Sequence, residues 1–326
     1  MTQPAGGPFP TGNPCDPDER GWLIGVGGQY TVHDLGNGRV VKIPNSMDGS
    51  RCFVGGWGPH VSEMKRHFPL AETAIYRGIC IPHVLRLAKR YPPLSAALAH
   101  PRAMPGGSFS QDKVQILYDL IPQASPDEIR GYLDGYADMC QFCWRYGIHD
   151  YILFFVVNNG IDAEGKVVFV DFGEVAFDIT LVAMQTEKRG WETKDVLLQE
   201  FLPPEYHGYY FKAMTDRLSG RNFELHWAKE LDELDSDIIH TPDLREHPEM
   251  IPGLVDRILG RANREEGWEI SRVSSEVLDL FHRVKKWQQN AVGLQNTMYR
   301  AAEVCKDTII EVEDIPQDVR ARAAPG

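Results

Sequence analysis

The chain has 326 residues, 34 of them Lys or Arg against 46 Asp or Glu, for a formal charge of -12. That length allows two or three packed units, and the acidic balance argues against a broad nucleic-acid footprint or an anionic-membrane surface. No window approaches the roughly 18 to 20 apolar residues that span a bilayer. The six cysteines are scattered and nothing near the start reads as a secretory signal, so reduced thiols in a cytoplasmic protein are expected.

Residues 1–20, rich in Pro, Gly, Asn and Asp, read as a disordered leader. Trp22 to Gly25, Tyr30 to Val32 and Arg39 to Ile43 then read as three strands of an antiparallel sheet, with Gly36-Asn37-Gly38 as the turn between the last two. Between the first two strands lie Gly25, Gly27 and Gly28, where the backbone can approach phosphates closely. Lys42 ends the third strand just before Pro44. An ammonium there can neutralise phosphate charge, although an ordinary edge-strand lysine has the same appearance.

A Gly-rich loop around Gly55 to Gly58 precedes a helix expected over about Val61 to Arg77. Glu72 on that helix is a candidate partner for Lys42, and Glu63 competes with it. Residues 83–89 and 114–121 read as further strands, the second including Tyr118 and Asp119. Ser125-Pro126-Asp127-Glu128 is a helix start, with Ser as N-cap, Pro at N1 and Glu at N3. The helix runs to about Tyr146, and its Cys140 and Cys143, with no second pair nearby, read as buried helical thiols.

His149-Asp150 follows, and the apolar run Tyr151 to Val157 reads as a buried strand. Asn158 to Gly165, Lys166 to Val170 and Asp171-Phe172-Gly173-Glu174 then read as a strand, a tight acidic turn, a second strand and a carboxylate at its end. An amide thirteen positions before a carboxylate, across such a hairpin, can hold a divalent cation against nucleotide phosphates. A helix is expected over about Pro204 to Leu218, and beyond residue 222 the pattern is helical and charged.

In their order, the Gly loop, Lys42, Glu72, the long helix, Asn158 and Asp171-Phe172-Gly173 resemble the protein-kinase-like fold over residues 21–220. The resemblance implies an α+β, two-lobed architecture with a sheet-containing lobe over 21–124 and a compact helical lobe over 125–222. It also implies ATP and Mg²⁺ as cofactors: Lys42 on the α- and β-phosphates, Asn158 and Asp171 on the metal, and Val114 to Ile121, with Tyr118 and Asp119, near the adenine. The kinase catalytic base would fall at Leu153, five residues before Asn158. Either Asp150, eight residues before Asn158, is the base after a three-residue insertion, or the base is missing. No Ala-Pro-Glu follows Gly173, so the pattern is similar to compact small-molecule or atypical bacterial kinase-like proteins. A phosphotransferase with a small or atypical acceptor is expected, the alternative being a catalytically weak, pseudokinase-like protein.

Residues 223–320 read as a helical bundle, followed by a tail over 321–326. Leu244 to Pro252, Asn263 to Gly267, Glu276 to Phe281, Trp287 with Asn290, Leu294 and Asn296, and Ile309 to Pro316 resemble the AAA+ lid of sigma-54-dependent transcription activators. No GxxxxGK[ST] phosphate loop occurs in the chain. The family's sensor arginine would fall at Val292, its Pro-Gly pair at Gln288-Gln289, and its arginine-finger region near Trp227 and Glu233. The resemblance thus implies a docking module for an AAA+ or transcription-related protein partner, and with it the further alternative of a transcription-regulatory adaptor without an AAA+ ATPase site of its own; neither direct DNA binding nor membrane contact is expected.

Overall fold

The computed structural model describes residues 22–26, 30–44, 70–193 and 201–323. The expected leader, Gly27, Gly28, Glu63 and the loop at 55–58 lie outside the described residues. β1 (Trp22–Val26), β2 (Tyr30–Asp34) and β3 (Arg39–Pro44) pair antiparallel in chain order. Gly36 and Gly38 turn the chain at φ of 72° and 78°, a left-handed backbone that costs glycine no Cβ clash. The Asp34 carboxylate accepts from the Gly36 amide at 2.9 Å.

α1 (Leu70–Arg90) and α2 (Pro92–Ala97) lead to β4 (Arg102–Ala103) and β5 (Phe109–Asp112), which complete a sheet ordered β1-β2-β3-β5-β4. The strand expected over 83–89 is instead the last part of α1. Cys80, Val84, Leu87 and Ala88 are buried at i, i+4, i+7 and i+8, one face of a helix.

The strand expected over 114–121 is also corrected. Only β6 (Gln115–Ile116) is extended, and α3 (Leu117–Leu120) is a single helical turn. Its Tyr118 amide donates to the Val156 carbonyl at 3.0 Å rather than to a strand ladder. Pro122, two residues beyond α3, has no amide with which to continue one.

α4 (Pro126–Trp144) starts at the expected capping box: the Glu128 amide donates to Ser125 Oγ at 3.3 Å, and the Ser125 amide donates to Glu128 Oε2 at 2.7 Å. Its buried stripe of Ile129, Leu133, Tyr136, Cys140, Cys143 and Trp144 is the spine of the core. Cys140 and Cys143 are free buried thiols, and burial pushes the Cys143 thiol up to about 12.

β7 (His149–Asp150), β8 (Asn159–Ile161), β9 (Val167–Phe169) and β10 (Val175–Ala176) form two small sheets, β6-β8-β9 and β7-β10. Residues 151–157, expected as a buried strand, are mostly buried but irregular, with Leu153 at φ 55°. Gly160 is needed where β8 crosses β6, because a Cβ there would lie 2.7 Å from the Gln115 carbonyl oxygen.

α5 (Ile179–Glu187), α6 (His207–Arg217), α7 (Gly220–His226) and α8 (Glu233–His240) follow, α6 and α7 packing on α4. The remaining elements are α9 (Ile251–Glu266), β11 (Arg272–Val273), α10 (Ser275–Arg283), α11 (Ala291–Val304), β12 (Ile309–Ile310) and α12 (Gln317–Ala323). The expected bundle therefore carries an added parallel pair, β11 with β12. The boundary placed near residue 222 falls inside α7, and one apolar cluster runs from Tyr30 to Ala323. Among the described residues no helix is long and apolar enough to cross a membrane.

The C-terminal helices are joined to α1 by a polar seam. His83 Nδ1 meets Gln295 Oε1 at 3.0 Å, Arg86 donates to Asn296 Oδ1, and Asn296 Nδ2 donates to the Ile79 carbonyl at 2.7 Å. One helical turn on, Arg90 pairs with Asp232 and Asp235, both at 2.9 Å, and with Glu265.

His83 is 1% exposed, and burial, followed by the charge of Arg86, pushes its pKa down to about 3. The hydrogen bond to Gln295 opposes that shift, and the charge of Arg261 adds to it. Between that value and the unfolded pKa of about 6.5, the unfolded chain holds a proton that the folded chain does not. This contribution is therefore complete above about pH 6.5 and is lost as pH falls toward 3. We expect His83 to account for about 2 kcal/mol of the stability lost between pH 7.5 and 5. Urea midpoints at the two pH values should show a smaller drop for His83→Gln than for the wild type, whereas equal drops would contradict the assignment.

Candidate functional site

The hairpin of β8 and β9 is closed by local chemistry. Asp162 Oδ1 accepts from the amides of Glu164 and Lys166, both at 2.9 Å, and Gly165 turns at φ 81°. Beyond the strands, the Asn158 carbonyl accepts from the amides of Val170 at 2.8 Å and Asp171 at 3.2 Å. Two residues thirteen positions apart are thereby held side by side. Asn158 is buried and Asp171 half-buried, and neither side chain has a hydrogen-bond partner among the described residues. Phe172 anchors the segment, its ring centroid 5.2 Å from that of Phe109 and 6.4 Å from that of Phe169.

Lys42 reaches the same place from the sheet. It lies opposite Val32 and Phe109 in the ladder, and its buried Nζ donates to the Val170 carbonyl at 2.7 Å and sits 5.7 Å from the Phe109 centroid. Burial lowers the Lys42 pKa and the nearby Asp171 carboxylate works to raise it. A buried ammonium with one hydrogen bond keeps two further donors for anionic oxygens. The Val170 carbonyl as its partner had no sequence signal, because a backbone acceptor bears no residue identity.

The other candidates lie on other elements. Gly25 lies on β1, opposite Val32, and Glu72 lies near the start of α1. Tyr118 and Asp119 are exposed on α3, the Tyr118 amide bound to Val156 and the Asp119 carbonyl accepting from Gln123 at 3.3 Å. Asp150 faces the core. It is 3% exposed, accepts from the Tyr136 hydroxyl at 3.0 Å, and accepts from the Leu153 amide at 2.9 Å. Burial, followed by the Asp150 carboxylate, holds the Tyr136 pKa well above its ordinary value, so the phenol keeps the proton it donates.

His149 is held just as firmly. Its Nδ1 accepts from Trp144 Nε1 at 2.9 Å, so Nε2 carries the proton toward Gln185 Oε1 at 2.8 Å.

Gly160 to Lys166 has the glycine and lysine spacing of a phosphate loop, but Val167 stands where the hydroxyl residue would be. The segment turns between two strands, and Lys166 is exposed and paired with Glu164 at 2.9 Å. No helix N-terminus follows to gather backbone donors on a phosphate.

Residues 245–326 match the AAA+ ATPase lid domain. The described part of this lid comprises α9 to α12 with the β11–β12 pair. Val292, at the sensor-arginine position of the resemblance, is buried at the start of the lid's α11. The lid also touches the segment after Asp171-Phe172-Gly173: the Phe177 amide donates to Gln289 Oε1 at 3.3 Å, and Gln289 Nε2 reaches the Val175 carbonyl at 3.5 Å. No curated protein matches the chain.

Proposed function

We propose that the chain is a kinase-like protein that binds Mg-ATP where the sheet meets the Asn158–Asp171 hairpin, and that Asp150 serves structure rather than proton transfer. The observation that supports this most is the convergence of Lys42, Asn158 and Asp171 from two separate sheets. The donor set fits the metal. An amide oxygen and a carboxylate are hard oxygen ligands of the kind Mg²⁺ takes from protein. Lys42 would neutralise phosphate charge, and Asn158 and Asp171 would hold the Mg²⁺, which would supply further positive charge at the phosphates.

The inward-facing Asp150 favours the catalytically weak reading over a phosphotransferase. The lid, lacking a phosphate loop of its own, would act as an interaction module for an AAA+ or transcription-related protein such as a sigma-54 activator.

Mg-ATP should raise the melting temperature of the wild type and leave that of Lys42→Met unchanged. Equal shifts in the two proteins, or none in either, would remove the nucleotide site. ATP turnover that Asp150→Asn abolishes in a folded protein would restore the phosphotransferase reading.

A further inference from the structure

β10 is two residues long, and its edges are held by different parts of the chain. β7 pairs with one edge, Val175 lying opposite Asp150 and Ala176 opposite His149. Along either edge of an extended segment, the carbonyl of one residue and the amide two residues on point the same way. The side-chain amide of Gln289 meets such a pair: its Oε1 accepts from the Phe177 amide at 3.3 Å, and its Nε2 reaches the Val175 carbonyl at 3.5 Å. It stands where the peptide group of a third strand would.

α1 touches the same segment. Cys80 Sγ donates to the Val175 carbonyl at 3.3 Å, and the His83 ring meets the Phe177 ring edge-on, the centroids 4.5 Å apart. α1 is in turn bound to α11 of the lid through Gln295 and Asn296. Only Phe172, Gly173 and Glu174 separate Asp171 from β10. The chain that leaves the metal carboxylate therefore runs straight into a junction of α1 with the lid.

The backbone that aims Gln289 is strained. Gln289 and Asn290 have φ of 53° and 52°, and Asn290 has ψ of -127°, a region that glycine enters freely and other residues rarely do. Such a conformation persists where its surroundings over-determine it. Here the Asn290 side chain does so: its Nδ2 donates to the carbonyls of Thr241 at 2.6 Å and Pro242 at 3.0 Å, and its Oδ1 accepts from the Leu244 amide at 3.0 Å. The segment that enters the lid thereby fixes the turn that delivers Gln289 to β10.

We propose that Gln289 is a positioning residue through which the lid sets the place of the Asp171 carboxylate, so that docking of the lid and binding of Mg-ATP favour each other. The inference rests on the nucleotide reading above. A few residues of chain leave little slack between β10 and Asp171, and linkage makes the coupling equal in both directions. Lys42 is fixed to the Val170 carbonyl on the other side of Asp171, so ATP without metal should not sense Gln289.

The test is calorimetric titration of the full chain with ATP, in excess Mg²⁺ and in EDTA, together with amide hydrogen exchange. Gln289→Gly removes the side chain and suits the local φ, so the lid stays folded. Without nucleotide, this variant should exchange the Phe177 amide faster than the wild type. Its affinity for Mg-ATP should be about fivefold weaker, and its affinity for ATP in EDTA unchanged. Mg-ATP should slow exchange in α11 of the wild type and not in that of the variant.

Faster Phe177 exchange with wild-type affinity for Mg-ATP in Gln289→Gly would make Gln289 a packing contact, overturning the coupling while the nucleotide site stands. Unchanged Phe177 exchange, equal weakening of ATP with and without the metal, or equal slowing of α11 in both proteins would overturn it too. A wild type that binds no ATP in either condition would remove the nucleotide reading itself, and this coupling with it.

Discussion

Asp235→Ala should lower the unfolding free energy by about 1 to 3 kcal/mol, the cost of removing a buried acceptor from donors of which Arg90 and Arg261 keep Asp232 and Glu265 as partners. The Asp235 side chain is 4% exposed and accepts from Arg90 at 2.9 Å, from Tyr91 at 3.1 Å and from Arg261. The Arg261 side chain is only 8% exposed, so water cannot take the place of the lost carboxylate. Lys89 and Glu266 span the same seam at 3.1 Å, but the lysine is 69% exposed, and Lys89→Ala should cost less than about 1 kcal/mol. Urea unfolding of both variants checks the contrast. Pairing Asp235→Leu with Arg261→Met should recover much of the loss, because it removes charge from both sides. Equal, small effects of Asp235→Ala and Lys89→Ala would mean that the seam does not hold the lid on α1.

Asp150→Ala should destabilise the chain by about 2 to 6 kcal/mol, since among the groups it strands are two buried donors at about 1 to 3 kcal/mol each. Those donors are the Tyr136 hydroxyl and the Leu153 amide, and the second holds a residue whose φ of 55° is unfavourable for leucine. Asp150→Asn keeps one acceptor oxygen and should lose less. In both variants Mg-ATP affinity should stay within a few-fold of wild type once the folded fraction is accounted for. Wild-type stability in Asp150→Asn would show that the carboxylate is not needed for packing, and would return Asp150 to the role of base.

The parts of the molecule legible in the sequence are those whose causes are local. The Asn158 to Asp171 hairpin could be read because Asp162 and Gly165 close its turn within five residues. The capping box at Ser125 could be read for the same reason.

Residues 83–89 could not be read correctly. The segment's polar side chains find their partners on a helix more than 200 residues away, as the His83–Gln295 and Arg86–Asn296 contacts show. Pro82, inside α1, strengthens the false impression of a break. Residues 151–157 are apolar because they are buried, and burial alone does not distinguish a strand from an irregular segment without a ladder. The orientation of Asp150 depends on Tyr136, a position that the helical pattern marks only as apolar.

The most direct test of the nucleotide site is the affinity of ATP for the wild type and for Asp171→Ala, measured calorimetrically with excess Mg²⁺ and again with EDTA. The carboxylate acts on the nucleotide through the metal, so the wild type should bind at least about tenfold more tightly with Mg²⁺ than without it. Asp171→Ala should bind equally in both conditions. Mg²⁺ enhancement that survives in Asp171→Ala, or absence of ATP binding by the wild type, would contradict the site.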